Sequence, residues 1–172
     1  ANVNLGNLRI VAAGTVDVAV ATARTTFDIF PGEARGPGNT ETRPVVRLGT
    51  ATAGANIFLS QTASIDVETM TAGTEAQLFA SLPVNIGTLT TNAYTRVSSS
   101  QTITIDTVTG GEIDLRSAQG ITVNSVVGST SVAIGTAGPA DIGTITGPSL
   151  TMDTSHAILG DVAISGDARV RT

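Results

Sequence analysis

Any chemistry in this chain must come from scattered carboxylates, one histidine and a recurring threonine. Asp66, Asp106, Asp114, Asp141, Asp153, Asp161 and Asp167 each stand alone in the sequence. Cleaving or eliminating a polysaccharide takes two or three carboxylates, or bound calcium, gathered on one sheet. Asp66 and Asp141 occupy the same place in a repeated unit but lie four units apart. At the strand spacing of a sheet that separates them by about 19 Å, beyond the roughly 5–9.5 Å of glycosidase pairs. Asp106 and Asp114 fall in one unit on different sides. His156 is the single histidine, in the polar stretch Asp153-Thr154-Ser155-His156, and cysteine is absent. A tetrahedral zinc site draws mostly on those two residue types. Gly110-Gly111-Glu112-Ile113-Asp114 departs from the glycine-rich calcium nonapeptide. The chain is therefore expected to be no enzyme, with no catalytic, cofactor-binding or metal-binding residues.

These residues sit in a repeat. Ile65-Asp66-Val67-Glu68-Thr69-Met70 returns as Val84-Asn85-Ile86-Gly87-Thr88-Leu89 and again as Ile103-Thr104-Ile105-Asp106-Thr107-Val108. It continues as Ile121-Thr122-Val123-Asn124-Ser125-Val126 and Ala140-Asp141-Ile142-Gly143-Thr144-Ile145, always 18 or 19 residues on. A fixed period in this range marks a solenoid, whose units stack because one alone cannot bury its apolar row. Alternation at period two makes each unit a strand with one inward face.

In register, the first inward pairs are Val3/Leu5, Val46/Leu48, Ile65/Val67, Val84/Ile86, Ile103/Ile105, Ile121/Val123 and Ala140/Ile142. A corner column follows, dominated by Gly6, Gly49, Gly87 and Gly143, where a left-handed backbone is expected and Glu68 implies mild strain or a slightly different turn. Next comes a stacked column of Thr50, Thr69, Thr88, Thr107, Ser125 and Thr144, small hydroxyls able to bond along the axis or to corner backbone. Beyond a second turn opened by residues such as Gly54, Gly73, Asn92, Gly110 and Gly128 lies a second strand. Its pairs include Val16/Val18, Ile57/Leu59, Ala76/Leu78, Thr95/Val97, Ile113/Leu115, Val132/Ile134 and Leu150/Met152. A third side, such as Ser98–Thr102, reads as a short polar connection adding little to the core.

The expected fold is an all-β, single-domain parallel β-solenoid over residues 1–172. It has about eight coils at the ~4.8 Å strand spacing, a rod of roughly 35–40 Å. Right-handed winding is favoured, as crossovers between parallel strands are overwhelmingly right-handed. One long insertion, 24–44, interrupts it after the first coil. There Phe27, Ile29 and Phe30 either cover a flank of the coil or form a docking patch for a partner chain. An ice-binding surface would need a flat, regular array of outward threonine. The Thr column is one residue wide, and the outward columns of both strands carry charges, so the sequence points away from that function.

Composition narrows the partners. Charged residues are 13 % of the chain, aromatics only 3 %, and the net charge is −5 with no lysine. Nucleic acid is a poor partner for such a chain, since its affinity comes from cations on phosphates. No apolar run reaches the ~18 residues of a transmembrane helix.

Units such as Pro83-Val84-Asn85-Ile86-Gly87-Thr88-Leu89 and Gly120-Ile121-Thr122-Val123-Asn124-Ser125-Val126 are each followed by a Gly turn and a second apolar-x-apolar strand. In this the chain resembles the repeats of filamentous-haemagglutinin-type exoproteins, the adhesins of two-partner secretion in Gram-negative bacteria. The resemblance covers residues 46–172, and 3–18 more weakly; the amino-terminal secretion domain of that family is not seen. It implies a structural shaft or filament-forming segment, extracellular or on the outer cell surface. Such a segment either continues a longer solenoid or self-associates end to end. The alternative is a module recognising a glycan or protein receptor, on a host or neighbouring cell, through 24–44 or one solenoid face.

Overall fold

The computed structural model describes residues 3–32 and 43–172. Among these residues it contains strands and no helix. In chain order they are β1 (Val3–Leu5), β2 (Leu8–Ala12), β3 (Val16–Ala23), β4 (Thr26–Pro31), β5 (Val46–Ala53) and β6 (Asn56–Thr62). Then come β7 (Ile65–Ala72), β8 (Glu75–Ala80), β9 (Val84–Thr91), β10 (Tyr94–Ser99) and β11 (Thr102–Ser117). The last are β12 (Gly120–Thr136), β13 (Pro139–Gly147), β14 (Leu150–Asp153), β15 (His156–Ile164) and β16 (Ala168–Arg171).

Every pairing is parallel and joins one coil to the next, giving a β-solenoid of about eight coils. One ladder runs β3-β5-β7-β9-β11-β12-β13-β15 and the other β2-β4-β6-β8-β10-β11-β12-β14-β16. The two sides merge into single long strands in β11 and β12. From Val46 onward the partners follow the sequence period: Val46↔Ile65, Ile65↔Val84, Val84↔Ile103, Ile103↔Ile121 and Ile121↔Ala140. The inward side chains are buried in one continuous core from Val16 to Met152. Burying one such Val, Ile or Leu contributes about 1.5–3 kcal/mol before entropy is charged.

The first coils correct the expected register. Val16 pairs with Val46 and Val18 with Leu48, so they belong to the first side, not the second. Val3 and Leu5 lie beside Ala21 and Ala23 instead. The segment expected to be an insertion from residue 24 begins with a regular strand: Phe27 pairs with Ile57, Ile29 with Leu59, Leu8 with Phe27 and Ile10 with Ile29. Both sides carry the same apolar-x-apolar signature, so only the following coil reveals which is which. The remainder of the expected insertion, residues 33–42, lies outside the described residues.

The corner is also built differently. No corner glycine adopts the left-handed region, and among the described residues the non-glycine with positive φ is Gln61, at 52°. Glu68 is therefore unstrained. Glycine is favoured for closeness: a Cβ at Gly49, Gly87 or Gly143 would lie 2.5 Å from the carbonyl oxygen of Ala19, Glu68 or Asn124 in the preceding coil. Gly110, Gly128 and Gly147 fall one position before the second turn, in the inward column of Ala53, Ala72 and Thr91. There Gly110 makes room for the buried Thr91 Oγ1···Thr95 Oγ1 hydrogen bond of 2.7 Å; a Cβ would sit 2.7 Å from Thr91 Oγ1.

The third side contributes more than a connection. Thr62, Ser99, Thr136 and Thr154 are buried there, with Ser117 half-buried. Their hydroxyls join coil to coil: Thr62 donates to the Phe79 carbonyl at 2.9 Å, Ser99 to Leu82 at 2.8 Å and Thr154 to Gly138 at 2.8 Å. Ser117 donates to the Gln101 carbonyl and accepts from the amides of Gln119 and Gly120 at 3.1 and 3.0 Å. Ser117→Ala should therefore cost about 1–3 kcal/mol, the penalty of stranding buried polar groups. Urea melts of the two proteins measure this, and an unchanged midpoint would mean water replaces the hydroxyl.

Candidate functional site

The outward face of the second side gathers four aromatic rings. Down one column run Asp28, Phe58, Gln77, Arg96 and Asp114, one residue per coil. Phe30 and Phe79 stand two residues further along their strands, and Tyr94 two residues before Arg96. All four rings are half-buried, leaving part of each to a ligand. The Arg9 guanidinium lies 5.0 Å from the centroid of Phe30, and that of Arg96 lies 5.6 Å from the centroid of Phe79. Cations held over rings in this way gain by attraction to the π face.

Polar groups border the rings. Arg116 Nε donates to Asp114 Oδ1 at 2.6 Å, and Arg96 Nε stands 3.7 Å from Asp114 Oδ2. Gln77 Nε2 donates to Glu75 Oε1. Among the described residues two buried side-chain atoms lack a hydrogen-bond partner, Asp28 Oδ1 and Arg96 Nε, and both belong to this face. Burial raises the Asp28 pKa above its ordinary value, and the Arg9 charge partly offsets the rise. The folded protein thus holds this proton more tightly than the unfolded chain. Asp28 favours folding below the ordinary aspartate value of about 3.9; that contribution is lost as pH rises through the raised value. Asp28→Asn should raise the melting temperature at neutral pH, the gain shrinking to nothing in acid. A lower neutral-pH melting temperature would show that attraction to Arg9 outweighs desolvation.

The residues expected to meet a partner divide. Phe27 and Ile29 are wholly buried core residues and cannot form a docking patch, which corrects that expectation. Strand alternation turns Phe30 outward, where it joins Phe58 and Phe79. The sequence concealed this grouping because the aromatics sit at three different positions of the repeat.

The threonine column follows its expected register: Thr50↔Thr69, Thr69↔Thr88, Thr88↔Thr107, Thr107↔Ser125 and Ser125↔Thr144. It is two residues wide, not one. Beyond the inward residue of each coil stands a second outward threonine, in the ladder Thr22↔Thr52, Thr52↔Thr71, Thr71↔Thr90, Thr90↔Thr109, Thr109↔Val127 and Val127↔Thr146. The expectation of a single column is corrected accordingly. The 19-residue recurrence of Thr52, Thr71, Thr90 and Thr109 was the signal that betrayed it.

Asp66, Glu68 and Asp106 line one open hollow with Asn85 and Thr104. Asp66, Asp106, Asp141, Asp153, Asp161 and Asp167 are exposed, as is His156. Asp106 Oδ1 accepts a hydrogen bond from Asn124 Nδ2 at 3.1 Å, along the corner. Among the described residues no group of three or more His, Cys, Asp or Glu is placed to hold a metal ion, and no helix is long and apolar enough to cross a membrane. Comparison with protein-family models, curated proteins and solved structures finds no match to this chain.

Proposed function

We propose that this chain is a non-catalytic structural shaft segment of a bacterial cell-surface or extracellular adhesin, of the filamentous-haemagglutinin-like kind its repeats resemble. The observation carrying this reading is the unbroken inward ladder from Val16 to Met152. Its rigidity comes from coil-to-coil backbone bonding and needs no ligand. The reading places the segment on or outside the outer membrane of a Gram-negative bacterium, as part of a longer solenoid or an end-to-end stack. Antibodies against the chain should label intact cells of the organism that makes it; labelling only after lysis would overturn the surface assignment. Light scattering across a concentration series, with negative-stain imaging, separates the two assemblies. Growing uniform fibres mean stacking, and a concentration-independent monomer means that length must come from contiguous sequence.

A second reading is favoured by the clustering of Phe30, Phe58, Phe79 and Tyr94. On it this face recognises a glycan or protein receptor, the rings stacking on apolar surface while Gln77 and Arg96 supply hydrogen bonds. Glycan-array binding that disappears in Phe58→Ala/Phe79→Ala and survives deletion of residues 33–42 would establish the face as the site. No binding by the parent chain would leave the shaft reading alone.

A further inference from the structure

We propose that the two-column threonine face binds ice. The array pairs Thr50 with Thr52 in one coil and repeats this pairing, in unbroken register, through Thr107 with Thr109. It resumes at Thr144 and Thr146 after a coil in which Ser125 and Val127 hold the same places. Paired threonines are two residues apart on a strand, about 6.6 Å, and successive coils are about 4.8 Å apart. The outcome is a rectangular grid of hydroxyl and methyl groups, with repeats close to those of the oxygen lattice on a prism plane of hexagonal ice.

Three further features suit that occupant. From Val20 to Thr146 neither column holds a charge, so no ion on the grid binds water in a competing orientation. The array hydroxyls are left to solvent: among the described residues only Thr144 has a side-chain hydrogen bond, a long one of 3.4 Å to the Asn124 carbonyl. The inward and third-side hydroxyls, by contrast, are spent on protein partners. Finally, β-branching restricts the threonine side chain about χ1, and the ladder beneath fixes its backbone. The grid is thus ordered before it meets the ligand, and little entropy remains to be lost on binding. A glycan or protein would find neither ring nor charge on the grid to grip, whereas a crystal of water matches its periodicity. The inference is independent of whether the shaft belongs to an adhesin.

The test uses the intact chain in three readouts: partition into a slowly growing ice hemisphere, faceting of single ice crystals, and inhibition of recrystallisation. The chain is expected to enter the ice and facet the crystals. Thr71→Tyr and Thr90→Tyr each place a large ring in the grid and should abolish both effects with the circular-dichroism melt unchanged. Thr104→Tyr, on the other outward face, should leave both intact. Should a tyrosine variant unfold, Thr90→Val keeps the shape, removes one hydroxyl, and should give a partial loss. Exclusion of the parent chain from ice to the extent of serum albumin would overturn the proposal. So would full ice activity in a folded Thr71→Tyr or Thr90→Tyr protein.

Discussion

Ile105→Asp is expected to destroy the cooperative melt of this protein. Ile105 is 1 % exposed and stacked between Ile86 and Val123 in the coils on either side. A carboxylate there has no cation within the apolar ladder and no water. An unpaired charge in a close-packed interior costs several kcal/mol, even after the group takes up a proton to escape ionisation. The position magnifies the damage. A solenoid is stabilised by nearest-neighbour interfaces, and this coil lies near the middle of the stack, so its loss leaves two short piles that each bury less. Circular dichroism should show a lower, broader transition, with hydrogen exchange accelerated from Ile86 through Val123. Thr104→Asp is the internal control. It changes the adjacent outward residue, in a column that already carries Asp66 and Asp141, and should be nearly silent. Equal effects of the two substitutions would contradict the inward assignment.

The sequence made that ladder readable because one physical requirement is repeated every coil. An inward residue must be apolar, and a parallel stack holds like residues over like. From Val46 to Ala140 the interval stays at 18 or 19 residues, and the structure pairs the residues that this interval aligns; the last coil shortens it to 17, with Ala140 beside Ala157. The requirement weakens where two solutions share one signature. Val16-Asp17-Val18 and Phe27-Asp28-Ile29 are both apolar-x-apolar, so pattern alone could not say which side of the coil each builds. Val16 to Val46 spans 30 positions, against 19 for Val46 to Ile65, and that excess moved the expected break too early.

Polar columns were harder still. A serine in a connection looks solvated in sequence, and Ser99 becomes a core residue only because the coils above and below close over it. The corner glycines were rightly located for the wrong reason. Their role is set by the carbonyl of the preceding coil, which a single strand does not display. The aromatic face needed three dimensions for the same reason, since Phe30, Phe58, Phe79 and Tyr94 come from four coils and three positions. The second threonine column needed only the period, applied to a residue that local alternation treats as surface.

Phe27→Ala should be the most damaging simple truncation in the first coils, and it discriminates between core and docking roles for the segment. Phe27 is wholly buried, with Leu8 and Ile57 as its ladder partners. Truncating such a ring costs about 3–5 kcal/mol, lost transfer energy plus the cavity left behind. For a chain of this size that corresponds to a fall in melting temperature of order 10 °C. Because coupling is between neighbours, the loss should be concentrated in β2, β4 and β6, visible as faster exchange there with little change in β11 and β12. Phe30→Ala removes a ring only three residues away, but a half-buried one on the outward face. It gives up the Arg9 contact, about 0.5–1 kcal/mol for an exposed cation–π pair, and should scarcely move the melt. The pair separates two meanings of one aromatic segment. If Phe27→Ala left stability untouched and abolished capture of a partner, the inward register of β4 would be wrong. If Phe27→Ala unfolds the first coils while Phe30→Ala affects binding alone, this strand supplies the core with one face and any receptor with the other.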